Sequence, residues 1–125
     1  MLRNLLLVAA GGALGSAARF LLSKVIQENA STAFPLGTFA VNVAGCFAIG
    51  LVYGLSARSN AMGADLRLML TTGFCGGFTT FSTFCNEGWG LFGQGSIVTG
   101  TLYAFGSLAV GMAAVAAGLW LTQEA

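Results

Sequence analysis

The chain has no histidine and few charged side chains, five Lys or Arg against four Asp or Glu in 125 residues. Its three cysteines, Cys46, Cys75 and Cys85, lie in apolar segments with no Cys-x-x-Cys spacing. A zinc or haem site therefore lacks its usual ligands, and cysteines so placed read as small apolar fillers. A formal charge of +1 excludes nucleic acid as a partner, because counterion release requires many Lys and Arg contacts. No nucleophile stands beside a base, so nothing in the sequence supports an enzyme. The one proline, Pro35, suits the first turn of a helix.

What is present is apolar. The residues are 56% hydrophobic and 7% charged, with mean hydropathy +0.83, whereas a soluble domain carries about 25% charge. Water is the wrong solvent for most of this surface, and the bilayer is the first partner implied. One crossing needs about 20 apolar residues, so the length admits at most four. The pattern predicts an all-α membrane protein, a single transmembrane domain over residues 1–125, with helices near 2–26, 36–57, 65–92 and 96–121. Polar connections fall at Gln27 to Phe34 and at Arg58 to Ala64, and a minimal turn at Gly93 to Gly95. Trp120 suits the interfacial belt. The opening Met1 to Ala17 has some features of a secretory signal, but apolar character continues through Val25 and Ile26, long enough to span.

Nineteen glycines need an account, since each costs about 1 kcal/mol against alanine in an exposed helix. In lipid, small residues four apart let helices approach closely. Gly11 with Gly15, Gly50 with Gly54, Gly73 with Gly77, and Ala109, Ala113 and Ala117 have that spacing. An even number of spans puts both termini on one side, where Arg3, Arg58 and Arg67 face Lys24, and Arg19 if it snorkels. That is a small bias under the positive-inside rule.

The segment Thr71 to Phe84, TTGFCGGFTTFSTF, is the most informative. Gly76 and Gly77 adjoin Thr79, Thr80, Ser82 and Thr83 where a span should be continuous. Two readings stand. The third helix is broken there, freeing backbone groups that a membrane tolerates only when buried in protein or lining a polar cavity; or the hydroxyls bond back one turn and merely bend it. Phe74, Phe78, Phe81 and an offset Phe84 form a stripe, usually packing, although ring edges are positive and could favour an anion. Thr80, Thr83 and Glu87 make one polar row, and Thr79, Ser82 and Asn86 another. Asn42 brings two donors and an acceptor into helix two, as interhelical glue or as pore lining. Arg19 costs about 2.5 to 3.5 kcal/mol if central, less if it snorkels. Tyr103 and Ser107 share a face of helix four. Glu87, the only acid well inside a span, motivates an alternative, a small proton-coupled multidrug exporter.

Gly11 to Arg19 (GGALGSAAR), Pro35 to Gly45 (PLGTFAVNVAG) and Thr71 to Phe84 together resemble the signature segments of the Fluc or CrcB family of fluoride channels. The resemblance covers nearly the whole chain. It implies an antiparallel, dual-topology homodimer with two fluoride pores, a sodium ion at the dyad, and passive export of fluoride across a bacterial inner membrane. Carried over by motif, Gly76 and Thr79 would give sodium their backbone carbonyls. Asn42, Phe81 and Phe84 would line the pore, with Thr80, Ser82, Thr83, Tyr103 and Ser107 along the same path and Arg19 and Glu87 in the vestibules. Cys85 stands where the family often has serine, and a thiol donates only weakly. Exporters of the alternative class resemble one another in a glutamate within helix one, where this chain has only Arg19.

Overall fold

The computed structural model describes residues 1–32, 34–58 and 62–124, without the side chains of 123 and 124. Every regular element among them is helical. Three helices are uninterrupted: α1 (Leu2–Glu28), α2 (Leu36–Arg58) and, last in the chain, α6 (Ile97–Glu124). Each is apolar and long enough to cross a membrane; α1, with 27 residues, extends about 40 Å against a hydrocarbon thickness of about 30 Å. The connection expected over Arg58 to Ala64 falls partly on residues 59–61, outside the described residues.

The third segment is in pieces. It starts as α3 (Ala64–Leu68), continues as a π-helix over Met69–Cys75 and regains α geometry in α4 (Gly76–Phe78). There it stops, for Thr79 is extended (φ −92°, ψ 160°), and α5 (Ser82–Gly93) begins only after Phe81. The break expected at Gly76 to Thr79 therefore lies over Thr79 to Phe81, and Gly76 itself is helical (φ −62°, ψ −38°). α5 has 12 residues, about 18 Å, too short to cross alone. A turn through Gly95, whose φ of 82° favours glycine, leads into α6.

Glycine contacts set the arrangement. A Cβ on Gly15 would run into the backbone of Phe74, and one on Gly11 into Met69, so α1 lies directly on the π-helical stretch. α2 and α6 form the most extensive pair, meeting where a Cβ on Gly118 would lie 2.5 Å from the Phe47 carbonyl oxygen. The row Ala109, Ala113 and Ala117 does not share in this: all three face outward from the chain, while Gly111 and Gly118 of the same helix are buried. Many large apolar side chains are likewise exposed, among them Leu14, Phe20, Val98 and Leu108, as expected of a surface solvated by lipid.

Candidate functional site

The site grows out of the break. In a continuous helix the Thr80 amide would bond the Gly76 carbonyl; here it donates to Asn42 Oδ1 at 2.8 Å. Asn42 Nδ2 returns a bond to the Thr80 carbonyl at 3.1 Å. One α2 side chain thus satisfies both backbone groups of Thr80, so the backbone opens here without leaving either group unpaired. The Phe81 amide would have served Gly77, whose carbonyl instead accepts from Arg19 Nε at 3.0 Å. The Thr83 amide would have served Thr79, but it turns to Thr80 Oγ1 at 3.3 Å. Of the other hydroxyls, Thr79 Oγ1 bonds back to the Cys75 carbonyl at 2.9 Å, the local alternative foreseen for this segment.

Two carbonyls are left over. The helical donors of Gly76 and Thr79 are both diverted, and no other donor among the described residues bonds either oxygen. Both residues line a cleft of about 350 Å³ between α2 and the third segment, with Gly45, Cys46, Tyr53 and Thr71. Uncharged oxygen ligands suit a hard cation, so the residues the resemblance assigns to sodium have free ligand atoms of the right kind.

A second, larger groove of about 500 Å³ shares Cys46 and Thr79 with the first and is lined further by Asn42, Thr80, Phe81, Phe84 and Ser107. Among the described residues no charged side chain lines it. The Ser107 hydroxyl is buried with no hydrogen-bond partner among the described residues, and one of the two Asn42 amide hydrogens is not used by Thr80. The groove therefore pairs unspent donors with aromatic rings. Phe81 and Phe84 stand 6.0 Å apart, centroid to centroid, and Phe81 is 77% exposed.

Behind the groove, Tyr103 is fully buried, 5.0 Å from the Phe84 ring, and its hydroxyl donates to Glu87 Oε1 at 3.3 Å. Five of the expected path residues thus line one groove and Tyr103 backs it. Ser82 and Thr83, on the first turn of α5, are not among its lining residues. The polar rows drawn along a continuous helix are cut by the break, with Thr79 as its first residue and Ser82 and Asn86 beyond it. The phenylalanine stripe is cut as well: Phe74 and Phe78 stack on each other at 5.7 Å, while Phe81 and Phe84 belong to the groove.

Two residues were not singled out in the sequence. Phe34 meets Tyr103 edge on, at 5.3 Å and 86°. Gln27 holds the turn that carries Phe34, donating to the Phe34 carbonyl at 3.3 Å and accepting from the Gly37 amide at 3.0 Å, one of the orphan donors of the first turn of α2. Phe34 adjoins the PLGTFAVNVAG segment; Gln27 gave no signal beyond its polarity in an otherwise apolar run.

Residues 6–119 match the family profile described as "CrcB-like protein, Camphor Resistance (CrcB)". A protein of Phocaeicola vulgatus named "Fluoride-specific ion channel FluC" is 45% identical over 98% of this chain and 100% of its own length. Proteins of the same name from Chlorobium phaeobacteroides and Rhizobium leguminosarum bv. trifolii are 48% and 49% identical, the first covering 95% of this chain and 92% of the relative, the second 91% of each. With the broken third segment and the donor-lined groove in view, these matches leave one conclusion, that the chain belongs to the CrcB family, whose relatives here are fluoride-specific ion channels.

Proposed function

We propose that this chain forms a passive fluoride channel, multi-pass in a bacterial inner membrane, with the third segment making the fourth crossing as two half-helices. It discharges cytoplasmic fluoride that entered as neutral hydrogen fluoride and was trapped by ionising. The observation that carries the reading is the groove between α2, α5 and α6, lined by Asn42, Ser107, Phe81 and Phe84 with no charged side chain among the described residues, where Asn42 has an amide hydrogen not used by Thr80 and the Ser107 hydroxyl has no partner. A small anion must shed water to pass. Hydrogen-bond donors replace part of that water, and ring edges add a weak positive field. A full charge would hold fluoride too firmly, since conduction also requires release. The exporter alternative has no support, since the relatives are ion channels. The experiment is growth of a bacterium lacking its own fluoride exporter, in medium containing fluoride. Expression of this chain is expected to restore growth, and no rescue by membrane-inserted protein contradicts the channel.

The assembly we propose is an antiparallel homodimer with sodium between the two breaks. Two free carbonyls cannot replace a cation's hydration shell, whereas a two-fold partner doubles them, because such an interface presents the same patch twice. Sodium would be held by the Gly76 and Thr79 carbonyls of both copies, supplying positive charge that ties the two breaks together. By the family likeness Arg19 and Glu87 would serve the vestibules, with Ser82 and Thr83 along the same path. A Gln94→Cys variant in a cysteine-free background is expected to react with a membrane-impermeant maleimide from both sides of the bilayer; one-sided labelling of a functional preparation excludes dual topology. A Gly76→Val variant places a branched side chain in the 350 Å³ cleft and is expected to lose the dimer on size exclusion, whereas Thr79→Ala, which keeps the carbonyl, is expected to retain it.

A further inference from the structure

We infer that Arg19 is a positioning residue for the break, which it holds open by a hydrogen bond to the Gly77 carbonyl, so that the neighbouring Gly76 and Thr79 carbonyls stay free for a cation. The inference rests on the sodium reading above. Its starting point is an unusual use of a costly side chain. A cation inside a span must find partners, and Arg19 Nε donates to a backbone oxygen 58 residues away, at 3.0 Å.

The local geometry makes that bond specific. Gly12, Ser16 and Arg19 follow one another at four and three residues on one face of α1. Gly77 lies against that face: a Cβ on it would meet the Gly12 carbonyl at 2.6 Å and Ser16 Oγ at 3.0 Å. The carbonyl of Gly77 is thereby brought within reach of a side chain one turn further along. It is also an orphan at the C-terminal end of a helical run, where a cation is favoured by the helix dipole. Opposite, Asn42 of α2 takes the Thr80 backbone. The break is therefore held by α1 at Gly77, between the two carbonyls left over, and by α2 at Thr80, just after the second of them. If Gly77 lost its donor, the Phe81 amide would be the natural replacement, and recovering that bond rewinds the helix through Thr79.

This role depends on a donor at the Nε position. Attraction of anions to a vestibule depends only on charge, which separates the two. Glutamine puts its Nε2 the same number of bonds from the backbone as arginine's Nε, without the charge; methionine has similar length and no donor; lysine keeps the charge with its donor one bond further out. The measurement is the sodium concentration that half-stabilises purified protein against thermal unfolding in detergent, with N-methylglucamine as the replacement cation, together with fluoride efflux from liposomes. Arg19→Met is expected to raise the sodium midpoint about tenfold or more, the scale of a lost charge-assisted bond. Arg19→Gln is expected to stay within about threefold of wild type in sodium response, although its efflux falls with the lost charge. A wild-type midpoint in Arg19→Met overturns the inference. Should Arg19→Met yield no folded protein, the order of the other two decides: Arg19→Gln nearer to wild type than Arg19→Lys supports the positioning bond, and the reverse overturns it. A wild-type protein indifferent to sodium fails the sodium reading itself and takes this inference with it, a result distinguishable from a sodium-sensitive wild type with an unchanged Arg19→Met.

Discussion

Replacement of Phe81 and Phe84 together by isoleucine is expected to lower fluoride efflux by about tenfold or more while the protein still folds, since edge interactions of about 1 kcal/mol each multiply in a rate. Isoleucine keeps an apolar side chain at both positions but removes the ring edge. The structural cost is small for Phe81, which is 77% exposed within one chain. It is larger for Phe84, which gives up its contact with the Tyr103 ring at 5.0 Å, a loss of about 1 kcal/mol. The readout is efflux from liposomes, with dimer integrity followed by size exclusion. Near-normal efflux through the folded double variant would make the rings packing alone and put the ion path elsewhere.

The second large effect is expected at Asn42, where fold and conduction separate by choice of substitution. Asn42→Ala strips the Thr80 amide and carbonyl of their partners, at about 1 to 3 kcal/mol for each group left unsatisfied. A lower unfolding temperature and a severalfold or greater loss of efflux are expected together. Asn42→Asp keeps an acceptor for the Thr80 amide and loses the donor to its carbonyl, so it is expected to unfold closer to wild type. Its carboxylate, however, puts a negative charge beside the groove and is expected to conduct least of the three. Wild-type stability and efflux in Asn42→Ala would mean that the break holds itself open without α2.

These expectations draw on features of unequal legibility in the sequence. The three continuous helices could be read closely, because an apolar run of that length has few other uses; α1 ends at Glu28 and not Ile26, and α2 at Arg58 and not Ala57. The broken third segment could also be read, from hydroxyls and glycines where lipid-facing side chains belong. Its position could not. Glycine freedom suggested Gly76, yet the chain opens at Thr79 because Asn42, distant in sequence, competes for the Thr80 amide. The π-helical stretch is equally non-local, lying where the α1 backbone presses on it through Gly11 and Gly15, a contact with no signature inside MLTTGFC itself.

Within the site, single residues were easier to name than to orient. Asn42, Phe81, Phe84, Tyr103 and Ser107 were legible as polar or aromatic exceptions and do come together around one groove. Rows drawn with helical spacing lose their meaning across an extended residue, so Ser82 and Thr83 do not continue the line of Thr79 and Thr80. Arg19 offered a choice between central burial and snorkelling; the bond it makes, with Nε on the Gly77 carbonyl of a distant segment, has no signal in its own stretch of sequence. Phe34 is not legible from the sequence because it sits in a connection, where an aromatic residue has no periodicity to mark it.

The central claim is that the groove conducts fluoride passively, and the most direct measurement is fluoride release from liposomes holding purified protein, followed with a fluoride electrode. No proton gradient is imposed, and a potassium ionophore is added to carry the balancing charge. Release is expected to begin when the ionophore is added, to proceed at equal pH on both sides, and to be much faster for fluoride than for chloride. Folded, membrane-inserted protein that releases no fluoride under these conditions, or releases it only when a proton gradient is applied, would contradict the account.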